Sequence, residues 1–268
     1  MATDSFAKKK VWIVGASSGI GEQLVYELNE RGASLIISSR RESVLQEVKS
    51  KCPSSSSNRI SILPLDMKDG TSFSEKTKQA WDFYNGIDLL ICNAGISQRS
   101  GALETKESVE REIFEVNYFG TVALSKAVVS KMLDKKSGHI VVVSSIAGYV
   151  GTPLRSTYAA SKHALHGYFD ALRGELNESG IGITIACPGY VNTNISRNAL
   201  MGDGSPQMSM DKRTSEGIDA RVCAKEIVDA AAKNKVEVWP GGWETYAPYL
   251  RTLLPSLAAW IVARIRST

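Results

Sequence analysis

Short apolar runs recur along the first two thirds of the chain, each followed by a longer segment of mixed character. Residues 11–14, 35–38, 60–63, 89–92, 140–143 and 183–186 are almost continuously apolar. A strand wet on one face alternates polar and apolar positions. One covered on both faces does not, so these runs predict strands of a parallel sheet. Between them, helical spacing covers 19–31, 42–50, 72–84, 109–133, 157–178 and 220–234. Strand and helix alternating at this pitch predict right-handed βαβ units. The expected fold is a single-domain, Rossmann-type doubly wound parallel α/β sheet with helices on both faces. A seventh strand is expected at 236–239, before the break at Pro240-Gly241-Gly242.

The chain has 268 residues, of which 43% are hydrophobic and 22% charged. That is enough for a sizeable core without disulfide or metal staples, and it excludes collagen-like, disordered and disulfide-rich classes. No repeat or linker divides residues 1–268. Residues 52–58 read as a surface loop. Residues 192–215 lack periodicity and follow a strand end, which predicts a lid over a substrate site. The 32 basic and 28 acidic side chains are evenly scattered, giving a formal charge of +4. Such a scatter makes no nucleic-acid stripe.

Cys52, Cys92, Cys187 and Cys223 show no CxxC spacing, which suits a reducing compartment. The segment 1–10 is polar and lacks the apolar stretch of a signal peptide. His163 and His166 lie three apart without a convincing third ligand, so no metal site is expected.

Candidate chemistry gathers at predicted strand ends. Gly15-Ala16-Ser17-Ser18-Gly19-Ile20-Gly21 joins the first strand to the first helix. Gly15 permits a tight turn, Gly19 leaves room for a pyrophosphate at backbone N–H groups, and Gly21 lets helix approach strand. Ser17, Ser18 and Ile20 complete a cradle at a helix N-terminus. Glycines also suit plain turns; their place after strand one is what points to a dinucleotide. The second strand ends in Ser38-Ser39-Arg40-Arg41, with no carboxylate for a free ribose 2′-hydroxyl. Arg40 suits a 2′-phosphate and Arg41 would guide it, the ordinary alternative being a solvated charge pair. Asp66 either accepts from an adenine amino group or caps a nearby helix.

Asn93-Ala94-Gly95 and Ser144-Ser145 follow strands four and five on the same edge. Tyr158 and Lys162 share one helix face. Each has an ordinary structural reading when taken singly. Together they suit carbonyl reduction, in which hydride arrives from a nicotinamide and a phenol supplies the proton. For that the phenol pKa must fall from about 10 toward 7, worth about 4 kcal/mol. Lys162 supplies charge and can hold the ribose hydroxyls, while Ser145 can donate to the substrate oxygen.

The chain resembles the classical short-chain dehydrogenase/reductases from about Lys10 to Gly242. The likeness is carried by GASSGIG from Gly15, NAG from Asn93, and YAASK from Tyr158 with a serine thirteen residues earlier. It implies Ser145 as substrate orienter, Tyr158 as acid/base, Lys162 as its partner and Asn117 as holder of a relay water. It also implies Pro188, Gly189, Val191 and Thr193 beside the nicotinamide, NADP(H) preference through Arg40, and a homodimer or homotetramer. Val14 and Cys92 depart from common family residues without removing a catalytic group. The stretches 93–101, 153–163 and 188–194 resemble in particular the member 7 group of the dehydrogenase/reductase SDR family, its B-type branch included. That branch implies acyl- or alkyl-dihydroxyacetone-phosphate reduction for ether lipids.

The expected substrate is a small carbonyl or alcohol compound, hydrophobic in character: a lipid ketone, steroid, retinoid or xenobiotic. Arg155, Tyr190 and Arg197 are candidate contacts to it. A catalytically idle dinucleotide binder stands as the other reading. The apolar tail, residues 243–268, contains an uncharged run at 253–263 that is too short to span a bilayer. It is expected to pack on a second subunit or touch a membrane surface peripherally. The expected location is intracellular, either cytoplasmic or at a membrane such as the endoplasmic reticulum or peroxisome.

Overall fold

The computed structural model describes residues 6–265. The first part of the chain alternates β1 (Lys10–Val14), α1 (Gly19–Glu30), β2 (Ser34–Ser38), α2 (Glu42–Ser50), β3 (Ile60–Ile62), α3 (Phe73–Tyr84) and β4 (Leu89–Cys92). There follow α4 (Glu107–Phe114), α5 (Gly120–Lys135), β5 (Gly138–Val143), α6 (Ser156–Glu175) and β6 (Ile181–Ala186). The remainder comprises β7 (Val191–Asn192), α7 (Lys212–Ser215), β8 (Ile218–Asp219), α8 (Ala220–Ala232), β9 (Glu237–Val238), α9 (Ala247–Leu253) and α10 (Pro255–Val262).

The main sheet has seven strands in the order β3-β2-β1-β4-β5-β6-β9, and every pairing is parallel. Chain order reverses between β1 and β4, and the crevice at such a switch point is where open α/β sheets hold ligands. Successive side chains of β1 explain the unbroken apolar run. Val11 and Ile13 enter a core with Leu24, Leu28, Leu45 and Ile227 from α1, α2 and α8. Trp12 and Val14 enter the opposite core with Phe73, Leu124, Val128 and Phe169 from α3, α5 and α6. Full burial of each such side chain is worth about 1.5–3 kcal/mol. Trp12 also keeps its polar edge satisfied, since its Nε1 donates to the buried Ser38 Oγ at 2.8 Å.

Two details add to the expected elements. The helix expected at 109–133 runs unbroken from 107 to 135, with a π-helical turn, Glu115–Phe119, set between its α4 and α5 parts. Such turns insert a residue into the helical ladder and occur often at functional sites; this one carries Asn117. The tail folds as the two short helices α9 and α10, which face residues 146–150 across a cavity. The four cysteines are buried and free.

Candidate active site

The ends of β1, β2 and β4 lie side by side, with Val14 in register with both Ser38 and Cys92. Just past them the backbones come very close. Gly15 has φ +86°, and a Cβ there would lie 2.5 Å from the Ala94 amide nitrogen. A Cβ at Gly21 would strike the Gly15 carbonyl. That carbonyl accepts from Asn93 Nδ2 at 2.9 Å, which binds the glycine loop to the loop after β4. Gly19, also at positive φ, faces Thr193 across a gap that leaves a Cβ only 3.0 Å from its methyl group.

These loops border a groove of about 500 Å³ that runs from Gly15, Ser17 and Ser18 past Asn93 and Gly95 to Ser39, Arg40 and Arg41, with Asp66 on its wall. Among the described residues the groove fits a dinucleotide in both size and donor set. Asp66 has a local duty as well: its Oδ1 accepts from the Lys68 amide at 3.0 Å.

A second cleft continues from the groove and brings together Ser145, Tyr158, Lys162, Pro188, Gly189, Tyr190, Val191 and Thr193, with Ile20 and Arg155. Tyr158 is buried. Burial raises its pKa, opposed by the nearby Ser145 hydroxyl and by the charges of Arg155 and Arg99. Lys162 is also buried; desolvation pushes its pKa down to about 8. Its Nζ donates to the Val143 carbonyl at 2.9 Å and lies 5.9 Å from the Tyr158 ring centre.

Asn117 is fully buried at the π turn. Its Oδ1 accepts from the Ile96 amide at 2.8 Å, and its Nδ2 donates to the Ile96 carbonyl and to Ser161 Oγ. A Cβ at Gly95 would come 3.3 Å from Asn117 Oδ1 and 3.5 Å from Lys162 Nζ. The three therefore meet without intervening side chains. The adjacent serines have different duties. Ser144 Oγ is engaged with His166 Nε2 at 3.0 Å, whereas Ser145 Oγ accepts from the Ala147 amide and faces the phenol.

What holds Tyr158 in place is Gln98. Helix α6 has no side-chain cap from its own N-terminal residues, and its first amides need acceptors. Gln98 is fully buried. Its Oε1 accepts from the Thr157 amide at 2.8 Å and the Tyr158 amide at 3.3 Å. Beside it, Arg99 Nε donates to Asp211 Oδ2 at 2.8 Å, and Arg155 reaches the same oxygen at 3.2 Å. Asp211 belongs to segment 192–215. Burial opposes its charge, but the Arg99 and Gln207 hydrogen bonds hold its pKa below the usual carboxylate value. Backbone bonds across residues 97–106 fasten the same segment, Arg99 N to Leu200 O and Lys106 N to Gly202 O among them.

With this geometry in place, comparison with known proteins is decisive. The family model for short chain dehydrogenase matches residues 9–202. The chain belongs to the short-chain dehydrogenase family. It is 40% identical over 261 residues to dehydrogenase/reductase SDR family member 7B of Danio rerio, covering 95% of this chain and 84% of that protein. To member 7 of Homo sapiens it is 38% identical, covering 95% and 77%. A Burkholderia phymatum family member crystallised with NAD superposes with TM-score 0.83 at 20% identity, over 98% of both chains. One from Burkholderia cenocepacia crystallised with NADP gives 0.79 at 24%, over 97% and 99%. At those identities the two structures bear on fold alone. Membership in this oxidoreductase family, close to the member 7 and 7B group, rests on the sequence matches.

A third cavity of about 350 Å³ opens beside Ser145, and its surface is mostly apolar. Ile146, Ala147 and Val150 form one side; Leu250, Ile261 and Val262 from the tail form another. Glu244 secures this wall. It is buried, and its Oε1 accepts from the Tyr190 amide at 2.8 Å and the Gly242 amide at 3.1 Å. Arg155 and Tyr190 border both this cavity and the catalytic cleft, with the guanidinium 5.9 Å from the ring centre. Arg197 is exposed and borders none of these three cavities, so the structure does not bring it to the candidate substrate site. Gln98, Asp211 and Glu244 carry no motif. Only their distant partners give them meaning.

Proposed function

We propose that the protein is an NADP(H)-dependent oxidoreductase that interconverts a ketone or aldehyde and the matching alcohol. The observation that carries this reading is the convergence of Ser145, Tyr158 and Lys162 on one cleft that continues the dinucleotide-sized groove. When bound, the nicotinamide supplies or accepts the hydride. The chain's part is proton management and orientation. Ser145 Oγ directs the substrate oxygen toward the phenol, and Tyr158 Oη gives its proton to that oxygen in reduction or takes it back in oxidation. Lys162 adds charge beneath the phenol and a donor for ribose hydroxyls, and Asn117 shapes the buried floor between them. Pro188, Gly189, Val191 and Thr193, which line the cleft, would flank the carboxamide side of the nicotinamide.

Arg40 supports the choice of NADP(H): it is exposed at the groove end, with no carboxylate at the tip of β2. Arg41 lies beside it, and Asp66 is placed for the adenine. The mostly apolar third cavity supports a hydrophobic substrate. A narrower reading is favoured by two guanidiniums that share one carboxylate: Arg155 Nε is buried without a hydrogen-bond partner among the described residues. That surplus suits a lipid ketone with an anionic head, such as acyl- or alkyl-dihydroxyacetone phosphate. An idle dinucleotide binder would have no use for the buried phenol and lysine.

The test is NADPH oxidation against a panel of apolar ketones, with and without a phosphate group, by the wild-type protein and Tyr158→Phe. The variant is expected to lose about a thousandfold in kcat while binding NADPH as before. Retention of most activity would remove Tyr158 from the acid/base role.

A further inference from the structure

Helices α9 and α10 have an unusual environment. Their inner faces contribute Leu250, Ala258, Ile261 and Val262 to the third cavity. Their outer faces carry Tyr249, Leu253, Leu254, Leu257 and Trp260, all exposed, with Leu253 at 74%. A short helix that is apolar all round belongs under a cover, and a contiguous bare apolar face of this kind marks an interaction site. Trp243 and Tyr246 are exposed and also line the cavity, so the rim of the cavity and the bare face are one surface.

Charge identifies the cover. Residues 245–268 contain Arg251, Arg264 and Arg266 and no aspartate or glutamate. The Arg264 guanidinium stacks 3.8 Å over the Trp260 ring, so this cation stays beside the apolar face. A two-fold contact between copies would set the same patch against itself, arginine facing arginine without a counter-charge in either tail. Anionic lipid headgroups offer that counter-charge, while Trp, Tyr and Leu enter the boundary below them. No helix among the described residues is long and apolar enough to cross a membrane. The seat is therefore interfacial.

We infer that α9 and α10 form a platform that rests on an anionic lipid surface and opens the third cavity toward it, so that an apolar substrate enters from the lipid. The entry route rests on the substrate reading of that cavity given above; the lipid seat itself does not.

The experiment is co-flotation of the full chain with phosphatidylcholine vesicles, with and without phosphatidylserine, for the wild-type protein and Leu253→Glu/Trp260→Glu. Neither residue lines the cavity. The wild-type protein is expected to float with the phosphatidylserine vesicles and to detach in high salt. The double variant should lose about tenfold or more in bound fraction while oxidising NADPH with a small water-soluble ketone at the wild-type rate, which also shows that it folds. Wild-type protein that stays with the soluble fraction, or a variant that floats equally well, would overturn the platform. A variant that changes sedimentation mass without any wild-type flotation would assign the face to a second copy instead. Flotation as expected, with no ketone turned over, would uphold the lipid seat and remove the catalytic reading alone.

Discussion

The groove at the β1–β4 switch point and the cavity under the tail flank the same cleft, yet they are built by opposite means. The groove is made by backbone. Gly15, Gly21 and Asn93 bring two loops so close that a single added methyl group collides with main chain. The cavity is made by side chains, its tail wall supplied by Leu250, Ile261 and Val262 and secured by Glu244. The first arrangement tolerates one shape and suits a cofactor that never changes. The second requires only apolar volume, so it can be retuned without disturbing the arrangement of Ser145 and Tyr158.

The sharpest break in that contrast is Gly15→Ala. The position combines φ +86° with a Cβ only 2.5 Å from the Ala94 nitrogen. We expect a stability loss of about 3 kcal/mol or more and no measurable NADPH binding, read by thermal melting and fluorescence titration. Wild-type behaviour would mean that the loops can part freely. Next comes Arg40→Asp, which should weaken NADPH about a hundredfold and NADH hardly at all. Equal losses on both cofactors would remove Arg40 from the 2′-phosphate.

On the cavity side the effects are smaller. Val262→Trp should raise KM about tenfold for bulky apolar carbonyls and leave a small ketone unaffected. An unchanged substrate profile would detach the tail from specificity. The mildest test concerns Arg155, which borders both the cavity and the catalytic cleft. Burial raises the Tyr158 pKa and Arg155 pulls it back, so Arg155→Met should raise it further. Alcohol oxidation, which needs the phenolate, should then move its rising limb about half a unit to one unit toward higher pH. A limb that stays put would show that Arg155 does not act on the phenol.

This difference in construction also sets what the sequence can disclose. The doubly wound sheet is legible because burial on both faces writes itself as unbroken apolar runs, as in β1 and β4. The glycine loop, Asn93, Ser145, Tyr158 and Lys162 are legible because their chemistry demands fixed local spacing. The π turn at Glu115–Phe119 is not legible, since Val116 and Tyr118 keep helical periodicity while the backbone gains a residue. Gln98 is silent too. Its partners Thr157 and Tyr158 lie about sixty residues away, and no local pattern announces a cap delivered from another loop. Residues 253–263 show their apolarity but not the side chain they pack against, so the tail discloses a need for cover and hides its share in the cavity. The polar start of the chain, 1–5, and the last residues, 266–268, lie outside the described structure.

Glu244 has a practical consequence. One of its oxygens closes the amide of Tyr190, the residue after Gly189 in the candidate cleft, and the amide of Gly242 at the root of the tail. Trimming the protein ahead of this carboxylate to improve handling would leave the Tyr190 amide unanswered beside the candidate cleft and take one wall of the neighbouring cavity with it. Helices α9 and α10 are thus masonry of that cavity as much as outer surface, and a shortened protein would present a different chamber.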